Sequence, residues 1–508
     1  MAQPQPAESG VSKYRANQML DLARWAGTEF STLRRADVLR IAQAAAEAGA
    51  EKAEHFAEWA QRETGFGVVE HKVIKNRLCS TGIFDYYKDE DLVSHRVHEA
   101  TKIVEIPKPA GVVFALTPST NPVATVYFKI LLCLLTRNAI VVGPHPAAIG
   151  CCTEAARTMA RAAQNAGAPP GTIQVLPAPD LEVINHIMAS PKTDVILATG
   201  GTLMVRAAYS SGTPALGVGP ANAPAYVDAS ADVDRAARCL ADSKAFDNSI
   251  LCTNESAVIA HAAVAESFKK ALRHHGCHIC TESERSRLEE ALFPIGRFNS
   301  RLIGKSAKEI AAAAGIKLAH NARVLVVPLE RIGDDYPLST EKLCPVLGYF
   351  EAPDAQSGLN LARTMVRYSG GGHSAAIHAQ DPAVILRFGT ALNVLRVAVN
   401  APCSTGAAGF DTNLAPTMTV GTGFFGRSAV AENLRPHHLV NWTKIAYEKS
   451  AVVDFQAFDT LSVHEPAPLA GERAGVVALE DSLTAELRSE VRRIIIEELR
   501  DAMSELRT

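Results

Sequence analysis

The sequence has no apolar run of about 18 residues, the minimum for a membrane-spanning helix. Its start, Met1-Ala2-Gln3-Pro4, lacks the pattern of a secretion signal. An excess of basic charge is also missing. Lys and Arg number 51 against 54 Asp and Glu, a formal net charge of -3. That balance leaves no electrostatic footprint for nucleic acid, so neither nucleic acid nor membrane is expected as a partner. The ten cysteines are scattered through Ala-rich and Val-rich segments, the usage of reduced thiols in a cytoplasmic protein. Cys277-His278-Ile279-Cys280, with His274 and His275 just before it, has the form of half a zinc site. No second ligand pair stands at a zinc-ribbon spacing, so this stretch reads as a partly buried turn and no metal is expected.

What is present is an ordinary enzyme composition: 508 residues, 47% apolar and 21% charged, enough for two or more packed domains. From Val11 to Arg62 the chain is Ala-rich with apolar residues at helical spacing, until Glu63-Thr64-Gly65 breaks the pattern. Apolar strand candidates at Gly111–Leu116 and Ala139–Val142 flank a helical stretch, Val123–Leu135. A helix at Thr153–Gln164, a strand at Thr172–Leu176, another helix and a buried strand at Val195–Ala198 follow. Strands alternating with helices predict an α/β fold with parallel sheets covered on both faces.

The alternation resumes after Asp247, through Val258–Ala260, Phe268–His274, Val324–Val327, Leu361–Val366, Ala375–His378, Pro382–Phe388 and Val394–Val399. A first, dinucleotide-binding domain is therefore expected over 1–246 and a second α/β domain over 247–428. Residues 429–462 are expected to return to the first domain or to an oligomer contact. A Pro-, Ala- and Gly-rich linker at 463–480 leads to residues 481–508. There Leu483, Leu487, Val491, Ile494, Ile495, Leu499, Met503 and Leu506 fall on one face of an amphipathic helix. Such a helix serves equally as an attachment device or as a piece docked on its own subunit.

Three stretches carry chemistry. Cys252, in Asp247-Asn248-Ser249-Ile250-Leu251-Cys252-Thr253-Asn254, opens the second domain, and a thiolate is a strong nucleophile toward an aldehyde carbon. Thr117-Pro118-Ser119-Thr120-Asn121-Pro122 turns at the C-terminal end of a strand, where open α/β sheets bind ligands. The side-chain amide of Asn121 is suited to an oxyanion. Ala198-Thr199-Gly200-Gly201-Thr202 joins a buried strand to a helix, and its glycines would let backbone N–H groups approach a pyrophosphate.

Together these stretches resemble the aldehyde dehydrogenase superfamily, specifically its CoA-acylating branch. The resemblance is to the aldehyde half of aldehyde–alcohol dehydrogenases and to propanal and acetaldehyde dehydrogenases of bacterial microcompartments. Glu63-Thr64-Gly65, Lys72-Val73-Ile74-Lys75-Asn76, Thr136-Arg137-Asn138-Ala139-Ile140, Pro144-His145-Pro146, Gly217-Val218-Gly219 and Glu341-Lys342-Leu343-Cys344-Pro345 continue the match in family order.

The resemblance implies two Rossmann-type α/β domains, with Cys252 as nucleophile and Asn121 as oxyanion donor. His373, in Gly370-Gly371-Gly372-His373-Ser374, is the branch's candidate to assist deprotonation of the CoA thiol, with a structural histidine as the alternative. Pro144, His145, Gly200, Gly201, Gly219 and Glu341 are implied in cofactor binding, Glu341 at the nicotinamide ribose. The cofactor is NAD or NADP, because the loop after Val142 has no plain acidic reader of the 2′-hydroxyl. Coenzyme A is the co-substrate.

Hydrolytic relatives place a glutamate base about 34 residues before the cysteine to activate water. Here Gly217-Val218-Gly219-Pro220-Ala221-Asn222 contains no carboxylate, which favours a thiol acceptor. Ala221 departs from the glycine that related enzymes often carry nearby. The expected reaction is oxidation of a C2–C4 aldehyde, propanal or acetaldehyde, to acyl-CoA by a homodimer or homotetramer. An acylating sulfoacetaldehyde dehydrogenase, a hydrolytic semialdehyde dehydrogenase and an inactive assembly scaffold are the alternatives. The resemblance also suggests that the terminal helix contacts microcompartment shell proteins, placing a cytoplasmic enzyme inside such a shell.

Overall fold

Val112–Leu116 and Ala139–Gly143 are buried at every position, as strands in the middle of a covered parallel sheet must be. The computed structural model describes residues 6–177, 180–318 and 320–461. Its strands are β1 (Arg96–His98), β2 (Ile103–Pro109), β3 (Val112–Leu116), β4 (Ala139–Gly143), β5 (Ile173–Val175), β6 (Val195–Ala198), β7 (Ala215–Gly217) and β8 (Pro224–Val227). They continue with β9 (Ala257–His261), β10 (Cys277–Ile279), β11 (Val324–Pro328), β12 (Val346–Ala352), β13 (Gly372–His378), β14 (Val394–Val399) and β15 (Val440–Ala446).

The first sheet has five parallel strands in the order β5-β4-β3-β6-β7. The chain moves outward from β3 to β5, then returns to lay β6 against the other side of β3. That reversal opens a crevice beyond the carboxyl ends of β3 and β6. Lys129, buried on the helix Pro122–Leu135, ties β3 to β6 by donating to Leu116 O at 2.6 Å and Leu197 O at 2.8 Å. Burial pushes this lysine down to about 7.

The second sheet has seven strands, β10-β11-β12-β9-β8-β13-β14, all parallel. It begins at Pro224, so the border between the two sheets precedes Phe246, where the sequence pattern put it. The four-residue β8 gives little pattern of its own. The helix after it, Val233–Ala245, packs Ala236, Ala237 and Leu240 into the same apolar cluster as Val258 and Val324. Cys277–Ile279 is likewise an edge strand paired with β11 and not a turn. Next to it His278, Cys280 and Glu284 bring donor atoms within 4.8 Å of one another. Glu284 is already engaged there, accepting from Thr281 N at 2.8 Å and bonded to His278 Nε2 at 3.2 Å.

The Ala-rich N-terminal stretch is helical, as its spacing predicts, and is divided into three helices, Pro6–Ser31, Arg35–Glu51 and Ala53–Thr64. Ser31 and Thr32 end the first by donating their hydroxyls back to Thr28 O and Glu29 O, both at 2.7 Å. Within 429–462, β15 runs antiparallel to β2 from Val440↔Pro109 to Ala446↔Ile103 and completes a three-stranded sheet with β1. The linker and amphipathic helix expected over 463–508 lie outside the described residues. Among the described residues, no helix is long and apolar enough to cross a membrane.

Candidate active site

A cleft of about 340 Å³ occupies the crevice between the sheets. The first sheet contributes Pro118–Asn121 after β3, His145 after β4, Thr199–Thr202 after β6 and Val218–Ala221 after β7. Ile250–Thr253, leading into β9, form the opposite wall with Ile303, Glu341, Leu343, Met418 and Val420. Loops at strand ends of two different sheets thus converge on one volume, the size of a small-molecule site.

Cys252 is the one described cysteine that is partly exposed, the others being buried. The residues after it are firmly held. Thr253 Oγ1 donates to Ser404 O at 2.6 Å, and Glu255 Oε1 accepts from Cys403 N at 2.9 Å. The residues before it form an unusual turn, with Asp247, Asn248 and Ser249 at φ of 50°, 51° and 62°. Dense surroundings push the Cys252 thiol up to about 12, the Glu341 charge adds to the rise, and Arg396 opposes it. Its surroundings therefore favour the neutral thiol over the thiolate.

Asn121 precedes the helix Pro122–Leu135 and lines the same cleft. Its Nδ2 donates to Thr120 Oγ1 at 3.3 Å and to Ile250 O at 3.4 Å, placing the amide two residues from Cys252. These bonds are long, so the amide is easily surrendered to a better acceptor.

The cofactor candidates divide. Gly201 stands at the start of the helix Thr202–Tyr209, whose first amides have no side-chain cap. A Cβ on Gly201 would meet nothing within 4 Å, and one on Gly200 would touch only Met204 at 4.0 Å. Open space over uncapped helical N–H groups is a fit for a pyrophosphate. His145 lines the cleft with its Nδ1 accepting from Ala147 N at 3.1 Å, and burial holds its pKa low. Gly219 also lines the cleft, but its N–H already donates to Thr422 Oγ1 at 3.2 Å. There a Cβ would come within 3.0 Å of that hydroxyl and 3.1 Å of Gly426 O, so a side chain would fit only if these neighbours gave way. Pro144 is not among the lining residues. Glu341 is, and burial raises it to about 7 against the pull of Lys244 and Lys342. It is the single carboxylate among the described lining residues.

His373 is not brought to the cleft. It lies fully buried on β13, with Nδ1 bonded to Ser374 Oγ at 2.9 Å and Nε2 without a partner among the described residues. Burial and the neighbouring Arg396 push it down to about 3, so it stays a neutral ring. Sequence reasoning missed two features. One is Lys129 at the switch point, hidden in an apolar helix. The other is the contact that Lys75 Nζ makes with both Asn121 Oδ1 and Asp247 Oδ2. The signal for the second was a pair of lysines three residues apart in a short helix.

Residues 9–284 match the aldehyde dehydrogenase family. The chain spans about half the length of the first curated relatives it matches. It is 36% identical over 447 residues to the aldehyde-alcohol dehydrogenase of Clostridium acetobutylicum, which covers 87% of this chain and 52% of that one. To the acetylating succinate-semialdehyde dehydrogenase of Clostridium kluyveri it is 37% identical over 399 residues, 78% of this chain and 88% of that one. Among solved structures, an acetylating aldehyde dehydrogenase from Geobacillus thermoglucosidasius superposes with a TM-score of 0.86 at 34% identity, covering 89% of this chain and 100% of that one. The chain belongs to the aldehyde dehydrogenase family, within its acylating branch.

Proposed function

We propose that the protein oxidises a short, uncharged aldehyde of two to four carbons, with propanal and acetaldehyde as the favoured substrates, to the acyl-CoA. The observation that carries this reading is the pairing of Cys252 with Asn121 in a cleft that has one carboxylate and no lysine or arginine among its described lining residues. Cys252 Sγ attacks the aldehyde carbon as its S–H proton passes to solvent in the open cleft, and the C=O electron pair moves onto the oxygen of the thiohemiacetal, which carries the developing charge. Asn121 Nδ2 donates to that oxygen. Bound NAD or NADP supplies the acceptor for the hydride that leaves the former aldehyde carbon. What remains on Cys252 is a thioester. The thiol of coenzyme A then takes the acyl group, and the Cys252 thiolate is the leaving group.

The cleft's own chemistry argues the substrate class. Ile250, Leu251, Ile303, Leu343, Met418 and Val420 give it an apolar side, and Glu341 would repel an anion. Arg301 and Arg367 do not line it, and Arg427 faces an adjoining pocket with Arg206. Propanal is expected to exceed sulfoacetaldehyde and succinate semialdehyde in kcat/KM by at least about tenfold, the cost of one unpaired charge in a partly dry site. Steady-state assays with both dinucleotides check this, and a preference for either anionic aldehyde would reject the substrate class.

Glu341 is assigned to the nicotinamide ribose, a role that needs the carboxylate in its charged form. Because burial holds it near 7, the rate should climb through neutral pH as it ionises. Glu341→Gln is expected to lower kcat/KM for the dinucleotide by about tenfold, the scale of one charge-assisted hydrogen bond. It should also flatten that limb of the pH profile. Unchanged kinetics and an unchanged profile would remove Glu341 from the site.

A further inference from the structure

The stretch Lys72-Val73-Ile74-Lys75-Asn76 has no part in the chemistry just described. It lies in the helix Val69–Arg77, whose buried residues are Lys72, Lys75 and Asn76, three polar side chains on the face that an amphipathic helix would make apolar. Lys72 Nζ sits 3.2 Å from Asp247 Oδ2. Lys75 Nζ bonds that same oxygen and also Asn121 Oδ1. Asp247, fully buried, accepts from Val68 N at 2.6 Å through its other oxygen. Two ammonium groups and one carboxylate thus share a site closed to solvent. Such a cluster costs desolvation energy that apolar packing would avoid, and its retention calls for a geometric reason.

We propose that Lys75 is the positioning residue of the oxyanion donor: it fixes the Asn121 amide with Oδ1 held at the ammonium and Nδ2 left for the reacting oxygen. An ammonium has donors only, so an amide oxygen and never its NH2 must face it. The same Nζ reaches Asp247, the first of the three left-handed residues that lead to Cys252. Each such residue costs about 1–2 kcal/mol and persists only where neighbours pin it. The pins are visible. Asp247 N donates to His71 Nδ1 at 2.8 Å, and Asn248 Nδ2 donates to Gly304 O at 2.8 Å. On the far side Gly67 leaves room that any side chain would fill, since its Cβ would fall 2.0 Å from Asp247 Oδ1. One buried ammonium therefore ties the oxyanion donor to the turn that carries the nucleophile, across the cleft between the two sheets.

This inference rests on the oxyanion role of Asn121, and a double-mutant cycle separates the two. Lys75→Met leaves a balanced Lys72–Asp247 pair and is expected to fold. It should lower kcat by about 10- to 100-fold, the effect of a misaligned donor, while KM for aldehyde moves less than about threefold. In an Asn121→Ala background, the same change should cost little more, because its effect runs through the amide. Lys72→Met keeps both Lys75 contacts and leaves Asp247 paired with one ammonium, so it is expected to stay within about threefold of the parent kcat. If Asn121→Ala alone leaves kcat intact, the oxyanion reading fails. If Asn121→Ala is slow but Lys75→Met is fast, or if the two losses simply multiply, the positioning role is overturned. Should Lys75→Met not fold, Lys75→Gln, which retains one donor, takes its place in the cycle. Loss of folding in both makes Lys75 a folding residue and likewise overturns the proposal.

Discussion

Cys252→Ala is expected to reduce aldehyde oxidation by at least about 10³-fold, since removing a covalent nucleophile leaves only binding and oxyanion stabilisation. The fold should be nearly untouched. Cys252 is partly exposed at the cleft, and loss of one sulfur there should change unfolding free energy by no more than about 1 kcal/mol. Dinucleotide affinity, read by fluorescence titration, is expected to stay within about threefold, because Gly200 and Gly201, the proposed pyrophosphate platform, line the cleft from the loop after β6 and not from the Cys252 turn. No other thiol takes over. Cys403, whose charge is coupled to that of Cys252, is fully buried and its thiol is pushed well above the ordinary range. Turnover above a few per cent of the parent would displace Cys252 from its role.

The second large effect concerns the acceptor. Hydrolysis of a thioester needs a base to activate water, and the described cleft offers no carboxylate besides Glu341, which the proposed reaction commits to the ribose. Coenzyme A brings a thiol that needs much less activation. With saturating coenzyme A, acyl-CoA is expected to exceed free acid by at least about twentyfold, as water without a base loses two orders of magnitude. Without it, dinucleotide reduction should stop near one equivalent per site and continue at least about 100-fold more slowly. Mass spectrometry of the products checks the partition, and free acid as the main product would place the enzyme among hydrolytic dehydrogenases.

Much of this was readable beforehand, and the exceptions have physical causes. Buried strands such as Val112–Leu116 and Val195–Ala198 appear in the sequence because continuous apolar runs are what doubly covered parallel strands require. β12 was not legible although it is central to its sheet, since Gly348 and Glu351 interrupt its apolar run. β1, β2 and β15 were equally silent because they pair antiparallel with mixed exposure, so no face repeats cleanly.

At the site, Cys252, Asn121, Gly200, Gly201 and Glu341 converge on one cleft from loops far apart in sequence. Their order along the chain was visible, but their convergence depends on the strand order. His373 shows the opposite limit. Its glycine-rich surroundings look like a loop at a site, yet the chain there enters a strand that is buried at every position. Lys75 could not be assigned from sequence, because a lysine on a short helix is ordinarily a solvated charge. Only the packing of that helix against Asn121 and Asp247 gives it meaning.

The most direct test of the central claim is intact-protein mass spectrometry of enzyme mixed with propanal and NAD or NADP, before and after addition of coenzyme A. One propanoyl group is expected on Cys252 without coenzyme A, persisting while reduced dinucleotide stops accumulating. Coenzyme A should then remove it as propanoyl-CoA within a single turnover. An enzyme that never carries the acyl group, or that loses it to water as fast as to coenzyme A, would contradict the account.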